Sequence, residues 1–123
     1  MPSDASELIV QTETHPRGWI LVPIRVGRLL KFNFVLNTGF LVSAMSRGTR
    51  DTASAFGYLE HEGGRIYRLQ ELTLAGQLIP DLRVHLGPAA GILGVEGILG
   101  LNFLQQFGEI RFDVSSRRLT LRR

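Results

Sequence analysis

Cysteine is absent from the sequence, which removes any disulfide framework and any thiolate metal site. Lysine is nearly absent as well, since thirteen of the fourteen basic residues are arginine, and the formal net charge is +3. Long apolar runs are missing too. The run from Trp19 to Ile24 is interrupted by Pro23, and nothing approaches the roughly 20 apolar residues that a membrane-crossing helix needs. Met1 to Glu7 shows no basic segment leading into an apolar core, so the expectation is a soluble, unexported, cytoplasmic protein with no membrane partner. His15, His61 and His85 are widely separated and have no ligand spacing, which argues against a metal site. No Gly-x-Ser-x-Gly elbow, phosphate loop or dinucleotide fingerprint is present, and no cofactor is expected.

What is present suits one domain spanning residues 1–123, with 1–6 expected to be disordered; 123 residues at 44% apolar content bury one core and are too few for two. The C-terminal Arg117-Arg118 and Arg122-Arg123 alternate with Leu119 and Leu121 as the solvent face of a strand does. No stacking aromatics interleave with them, so nucleic acid is not the expected partner. The dominant period is two and the segments are short and punctuated by glycine, which predicts an all-β domain. Strands are expected at 7–12, 18–26, 29–36, 57–61, 65–74, 78–86, 109–114 and 118–122. Turns are expected at Gly27-Arg28, Gly63-Gly64 and Ser115-Ser116-Arg117, the first two because glycine accepts positive φ. One short helix is predicted near the C-terminus, with Asn102 as its cap, Phe103 to Phe107 as its body and Gly108 as its stop. The glycines Gly91, Gly94, Gly97 and Gly100 read as loop and turn positions.

Two elements carry chemistry. The apolar strand Phe34-Val35-Leu36 runs into Asn37-Thr38-Gly39, and further on the pair Ile98-Leu99 runs into Gly100, ahead of Leu101-Asn102-Phe103-Leu104. The segments leading to them echo each other weakly, from Gly27 in the first half and from Gly76 in the second. This arrangement resembles the retropepsin-like aspartic peptidases, the single-motif, dimeric branch of the pepsin clan, over nearly the whole domain from Gly18 to Leu121. In that family an apolar strand enters Asp-Thr/Ser-Gly, a glycine-tipped hairpin forms a flap, and an apolar-apolar-Gly motif precedes a short helix. Here the matching segments are Asn37-Thr38-Gly39, residues 57–68 with Gly63-Gly64 at the tip, and Ile98-Leu99-Gly100. The resemblance implies a closed β-barrel or sandwich with a flap and a homodimer whose two turns meet on the twofold axis. The bound partner it implies is a peptide or protein substrate. Phe40, Leu41, Tyr58, Gly63, Gly64, Ile66 and Tyr67 are then the substrate-binding candidates. The terminal segments Leu8-Ile9-Val10 and Leu119-Thr120-Leu121 are those expected to interleave between the two copies. Leu101 stands where retroviral members place an arginine, so their dimer-stabilising ion pairs are not carried over.

Aspartic proteolysis needs two neighbouring carboxylates that share one proton, one to take a proton from water and the other to donate toward the carbonyl. Asn37 occupies the position of that aspartate. An amide keeps the shape and much of the hydrogen-bonding capacity but has no titratable proton and no charge. The expectation is therefore an aspartic endopeptidase by type, inactive in this form, with a dimer at least as stable as that of a counterpart carrying aspartate at this position. Two origins are open for Asn37: a deliberate replacement of an original aspartate, which the intact motif favours, or a natural loss that leaves a peptide-binding pseudopeptidase. Asp113 reads as a turn-proximal surface or hydrogen-bonding group. Glu60 and Glu62 read as solvated charges beside the hairpin tip.

Overall fold

In Val22-Pro23-Ile24-Arg25-Val26 the three aliphatic side chains are fully buried and Arg25 between them is exposed, the signature of a sheet with one face on a core. The computed structural model describes residues 7–123, so the disorder expected for 1–6 lies outside the described residues. The first half runs β1 (Glu7–Gln11), β2 (Glu13–Thr14), β3 (Ile20–Val26), β4 (Leu30–Leu36), β5 (Ser43–Met45), α1 (Arg47–Ala55), β6 (Leu59–Gly63) and β7 (Ile66–Leu69). The second half runs β8 (Leu72–Leu74), β9 (Gln77–Ile79), β10 (Leu82–Leu86), α2 (Pro88–Leu93), β11 (Gly97–Leu99), α3 (Leu101–Leu104), β12 (Glu109–Asp113) and β13 (Arg118–Arg122).

The main sheet has ten strands in the order β6-β7-β10-β5-β11-β4-β3-β8-β9, with β2 also on β3. It curls into a half-barrel. The expected closed barrel is not formed, because the path ends on β6 and β9, which do not pair with each other. Most neighbours are antiparallel, but β11 lies parallel to β4 and β10 lies parallel to β5. A second, three-stranded sheet joins the ends of the chain in the order β1-β13-β12. Its Leu8 pairs with Leu121 and Val10 with Leu119, and all four are buried in the common core. The two terminal segments expected to interleave between copies are thus paired with each other inside one chain.

The sequence reading and the structure differ where a local feature overrides a long alternating run. The strand expected over 65–74 is cut into β7 and β8 at Gln70-Glu71, where Glu71 takes φ 59° and its carbonyl accepts from the Gly27 N–H at 2.9 Å. Pro80, which has no N–H to donate, lies between β9 and β10 in the run expected over 78–86. Helix α1 was not expected: it buries only Thr49 and Ala53, so its inner face has no large apolar residue to set a period. Its start is fixed by Ser46, whose hydroxyl accepts from the Thr49 N–H at 3.1 Å. Helix α2 occupies part of the glycine-rich stretch assigned to a loop, with Pro88 in its first turn and Gly94 at φ 72° closing it. The C-terminal helix is shifted and shorter than expected, Leu101–Leu104, with Gly100 as its cap and Asn102 inside it. Asn102 is unavailable as a cap because its side chain is committed elsewhere, as described below.

Gly97 is a strand residue whose missing side chain is filled by a ring. A Cβ there would sit 2.4 Å from the Phe34 ring, and Phe34 is its register partner on β4. Gly97→Val should therefore destabilise the protein by roughly 1–3 kcal/mol, read as a lowered urea midpoint at unchanged slope. The β12–β13 turn supplies a second prediction. Asp113 Oδ1 accepts from the Ser116 N–H at 3.2 Å and from the Ser115 hydroxyl and N–H at 2.9 and 3.1 Å. The Ser116 amide first, and Ser115 with it, hold this carboxyl below its usual range. A depressed folded-state pKa contributes stability above the ordinary carboxylate pKa of about 4, and that contribution is lost as pH falls through the lower folded value. Asp113→Asn is expected to lower the melting temperature at neutral pH, with the difference from the parent chain closing as acid protonates the Asp113 carboxyl.

Candidate active site

The site grows out of the parallel pair β4 and β11, in which Leu36 lies beside Leu99. Where the two strands end, the chain segments that leave them clasp one another. The Asn37 N–H donates to the Leu99 carbonyl at 3.0 Å, the Leu101 N–H to the Phe40 carbonyl at 2.7 Å, and the Asn102 N–H to the Leu41 carbonyl at 3.1 Å. Gly100 sits in the middle of this clasp, where a Cβ would be 2.6 Å from the Phe40 carbonyl oxygen and 3.1 Å from the Val42 carbonyl carbon. No other residue fits there without moving backbone. Asn37-Thr38-Gly39 and Ile98-Leu99-Gly100, far apart in the chain, are in direct contact.

Ser43, fully buried, is the hub beneath them. Its hydroxyl accepts from the Gly100 N–H at 2.9 Å and donates to Asn102 Oδ1 at 2.8 Å, while its own N–H donates to the same Oδ1 at 2.7 Å. Asn102 Nδ2 then donates to the Arg83 carbonyl at 2.8 Å, which ties the site to β10. These polar residues were not singled out for the site from the sequence. The available signal was an asparagine within an otherwise apolar helical turn, a position where an amide needs a partner.

The turn itself is held by an asparagine side chain. Asn37 Oδ1 accepts from the Gly39 N–H at 2.8 Å, as a carboxylate oxygen in its place would. Asn37 is half-buried, and Thr38 and Gly39 are exposed. Phe40 is half-buried, whereas Leu41 is 76% exposed and Val42 is 41% exposed. An apolar wall left open to solvent beside the turn suits the seating of another apolar chain.

The glycine-tipped hairpin is β6–β7, turning at Gly63 (φ 134°) and Gly64 (φ 55°), with a bulge between His61 and Gly63. His61 Nε2 bonds the Gly64 carbonyl oxygen at 2.8 Å and its ring lies 4.8 Å from that of Tyr67. Arg68 pairs with Glu60 and Glu62, and Arg83 pairs with Glu62 at 3.1 Å, so the charges flanking the tip are bound to arginines on β7 and β10. The Glu60 carboxylate, foremost, raises the Arg68 pKa. Tyr67 is half-buried, and its hydroxyl, foremost, together with Asp51 raises the Arg50 pKa. Ile66 is 40% exposed. Tyr58 lies at the base of the hairpin, not its tip, and fills the space over Gly27, where a Cβ would come within 2.2 Å of its ring. The hairpin meets β5 only through β10, and among the described residues no hydrogen bond links its tip to the Asn37 turn.

Among the described residues no group of three or more His, Cys, Asp or Glu is placed to hold a metal, and no helix is long and apolar enough to cross a membrane. No protein-family profile and no curated protein matches the sequence. Solved structures do. A retropepsin-like aspartic protease from Rickettsia conorii aligns over 94% of this chain and 88% of its own, with a TM-score of 0.61 at 20% identity. The retroviral protease-like domain of Ddi1 from Leishmania major aligns over 84% of this chain and 83% of its own, with a TM-score of 0.58 at 19% identity. This is the retropepsin-like fold. Within that fold the clasp is backed by a buried hydroxyl, and Ser43→Ala leaves the Gly100 N–H without its acceptor and Asn102 Oδ1 with one of its two donors. The expected cost is about 1–3 kcal/mol in chemical denaturation.

Proposed function

We propose that this domain is an aspartic endopeptidase of the retropepsin-like type, built to act as a homodimer on extended peptide segments, and held inactive in this form by Asn37. The observation that carries the reading is the clasp: an Asn-Thr-Gly turn fixed by Leu99-Gly100-Leu101 through backbone hydrogen bonds of 3.0 and 2.7 Å. Two such turns facing one another across a twofold axis would bring both residues 37 together, with Thr38 and Gly39 exposed for the turn-to-turn contact. With aspartate at both positions the pair holds a single proton, because like charges at that separation cannot both ionise. One carboxylate then takes a proton from the attacking water while the other donates toward the peptide carbonyl.

With asparagine at both positions no general base remains, and that loss alone is worth ~10²–10⁴-fold in rate. The turn stays intact, since the Oδ1 that accepts from Gly39 is common to amide and acid. The same observation favours the second reading, a natural pseudopeptidase that binds peptides without cutting them. In both readings the β6–β7 hairpin serves as the flap, Gly63-Gly64 as its tip and Ile66 as its exposed apolar contact. Phe40, Leu41 and Val42 line the peptide path, which pairs β-fashion with extended substrate.

Asn37→Asp distinguishes the two. The purified variant should cleave an unfolded protein substrate at least ~10²-fold faster than the parent chain, with a maximum below neutral pH and with suppression by a pepstatin-type inhibitor. No cleavage between pH 3 and pH 8 by a folded, dimeric variant defeats the peptidase reading and leaves the binding module. A species that sediments as a monomer at high concentration defeats the shared cleft itself.

A further inference from the structure

A cavity of about 680 Å³ opens between the flap side of the sheet and α2, lined by Arg47, Arg65, Leu86, Gly87, Pro88 and Gly91. Its position follows from the strand directions. β5 runs antiparallel to β11, so the end of β5 that leads into Arg47 lies at the opposite end of β11 from Gly100. A few residues of extended chain therefore separate the cavity from the Asn37 turn, on the order of 10 Å at a strand's rise per residue. Arg65 follows the Gly63-Gly64 tip directly, and its carbonyl accepts from the Leu86 N–H at 2.8 Å, which fixes this flank of the hairpin to the cavity wall.

Two arginines line this cavity and no acidic residue does. Arg47 has no ion-pair partner among the described residues, and Arg65 makes only a 3.3 Å hydrogen bond to the Leu86 carbonyl, which leaves most of its donors unused. The nearby acids are engaged elsewhere. Asp51, one turn along α1, pairs with Arg50 at 2.8 Å; Glu60 pairs with Arg68, and Glu62 with Arg68 and Arg83. Two unneutralised arginines from separate elements, α1 and the flap, facing a concave space are an arrangement that a carboxylate completes, because the planar guanidinium matches it bidentately.

We infer that Arg47 and Arg65 form a subsite that selects a carboxylate on the bound peptide, so that the preferred segment carries an acidic side chain flanking its apolar centre. This rests on the peptide-cleft reading above and narrows it to a substrate class. An acidic residue at that position engages the hairpin flank through Arg65 as well as the body through Arg47.

The test uses the Asn37 protein, which binds without cutting. Fluorescently labelled, acetylated and amidated ten-residue peptides centred on Phe-Leu, with one Glu moved through the outer positions, are titrated by anisotropy against their Gln counterparts. At one position Glu should bind about tenfold tighter than Gln, as expected for one charge-assisted contact, and the preference should shrink with added salt. In Arg47→Gln/Arg65→Gln, both sites being on the surface, the Glu:Gln ratio should fall to near one while the Gln peptide binds as before. A peptide with Gln throughout and a free C-terminus separates side-chain from terminal recognition; tighter binding of that peptide than of any internal Glu peptide overturns the side-chain assignment. Measurable binding with no Glu preference at any position overturns the subsite and leaves the cleft standing. Failure of every peptide to bind overturns both.

Discussion

The crossing of two chain segments at the ends of β4 and β11 is the constraint on which the rest of this structure depends. Residues 37–41 and 99–102 exchange backbone hydrogen bonds in a space so tight that Gly100 has room for no side chain. Buried backbone donors and acceptors must be paired, and here each segment pairs the other. That reciprocity fixes the Asn37 turn as a rigid feature of the sheet instead of a mobile loop.

Ser43 and Asn102 extend the constraint outward. A serine hydroxyl with one donor and two acceptor sites, and an amide with both kinds, suffice to connect β5, β11, α3 and β10. Buried polar networks are costly when partly satisfied and rigid when complete. The network couples the turn to β10, and β10 carries β7 of the hairpin on its other edge. Positional information thus runs from the turn to the hairpin through ladder hydrogen bonds, with no direct bond between them.

Asn37 shows how a fold and its chemistry can part. The geometry of the turn needs an oxygen that accepts from the Gly39 N–H, and an amide supplies it. The chemistry needs a proton that can leave, and an amide has none. The structure is therefore indifferent to the choice between amide and acid at position 37 that would decide the proposed reaction, which is why the shape of the site and its activity are separate questions here.

The all-β character, the hairpin turns at Gly27 and Gly63-Gly64, the Asp113 turn and the Asn-Thr-Gly element were legible in the sequence, because each is set by neighbours within a few residues. Alternation, positive φ and short side-chain-to-backbone bonds are local. Helix α1 was not legible, since its buried face of Thr49 and Ala53 carries no apolar period. The break between β7 and β8 was not either, because it answers to Gly27 across the sheet. Only the tertiary structure assigned Asn102 to Ser43 and Arg83 in place of a helix cap, paired β1 with β13 inside one chain, and brought Arg47 and Arg65 to the same cavity. Those outcomes are decided by competition among partners distant in sequence, and a side chain with two possible uses takes the one whose burial leaves fewest polar groups unpaired.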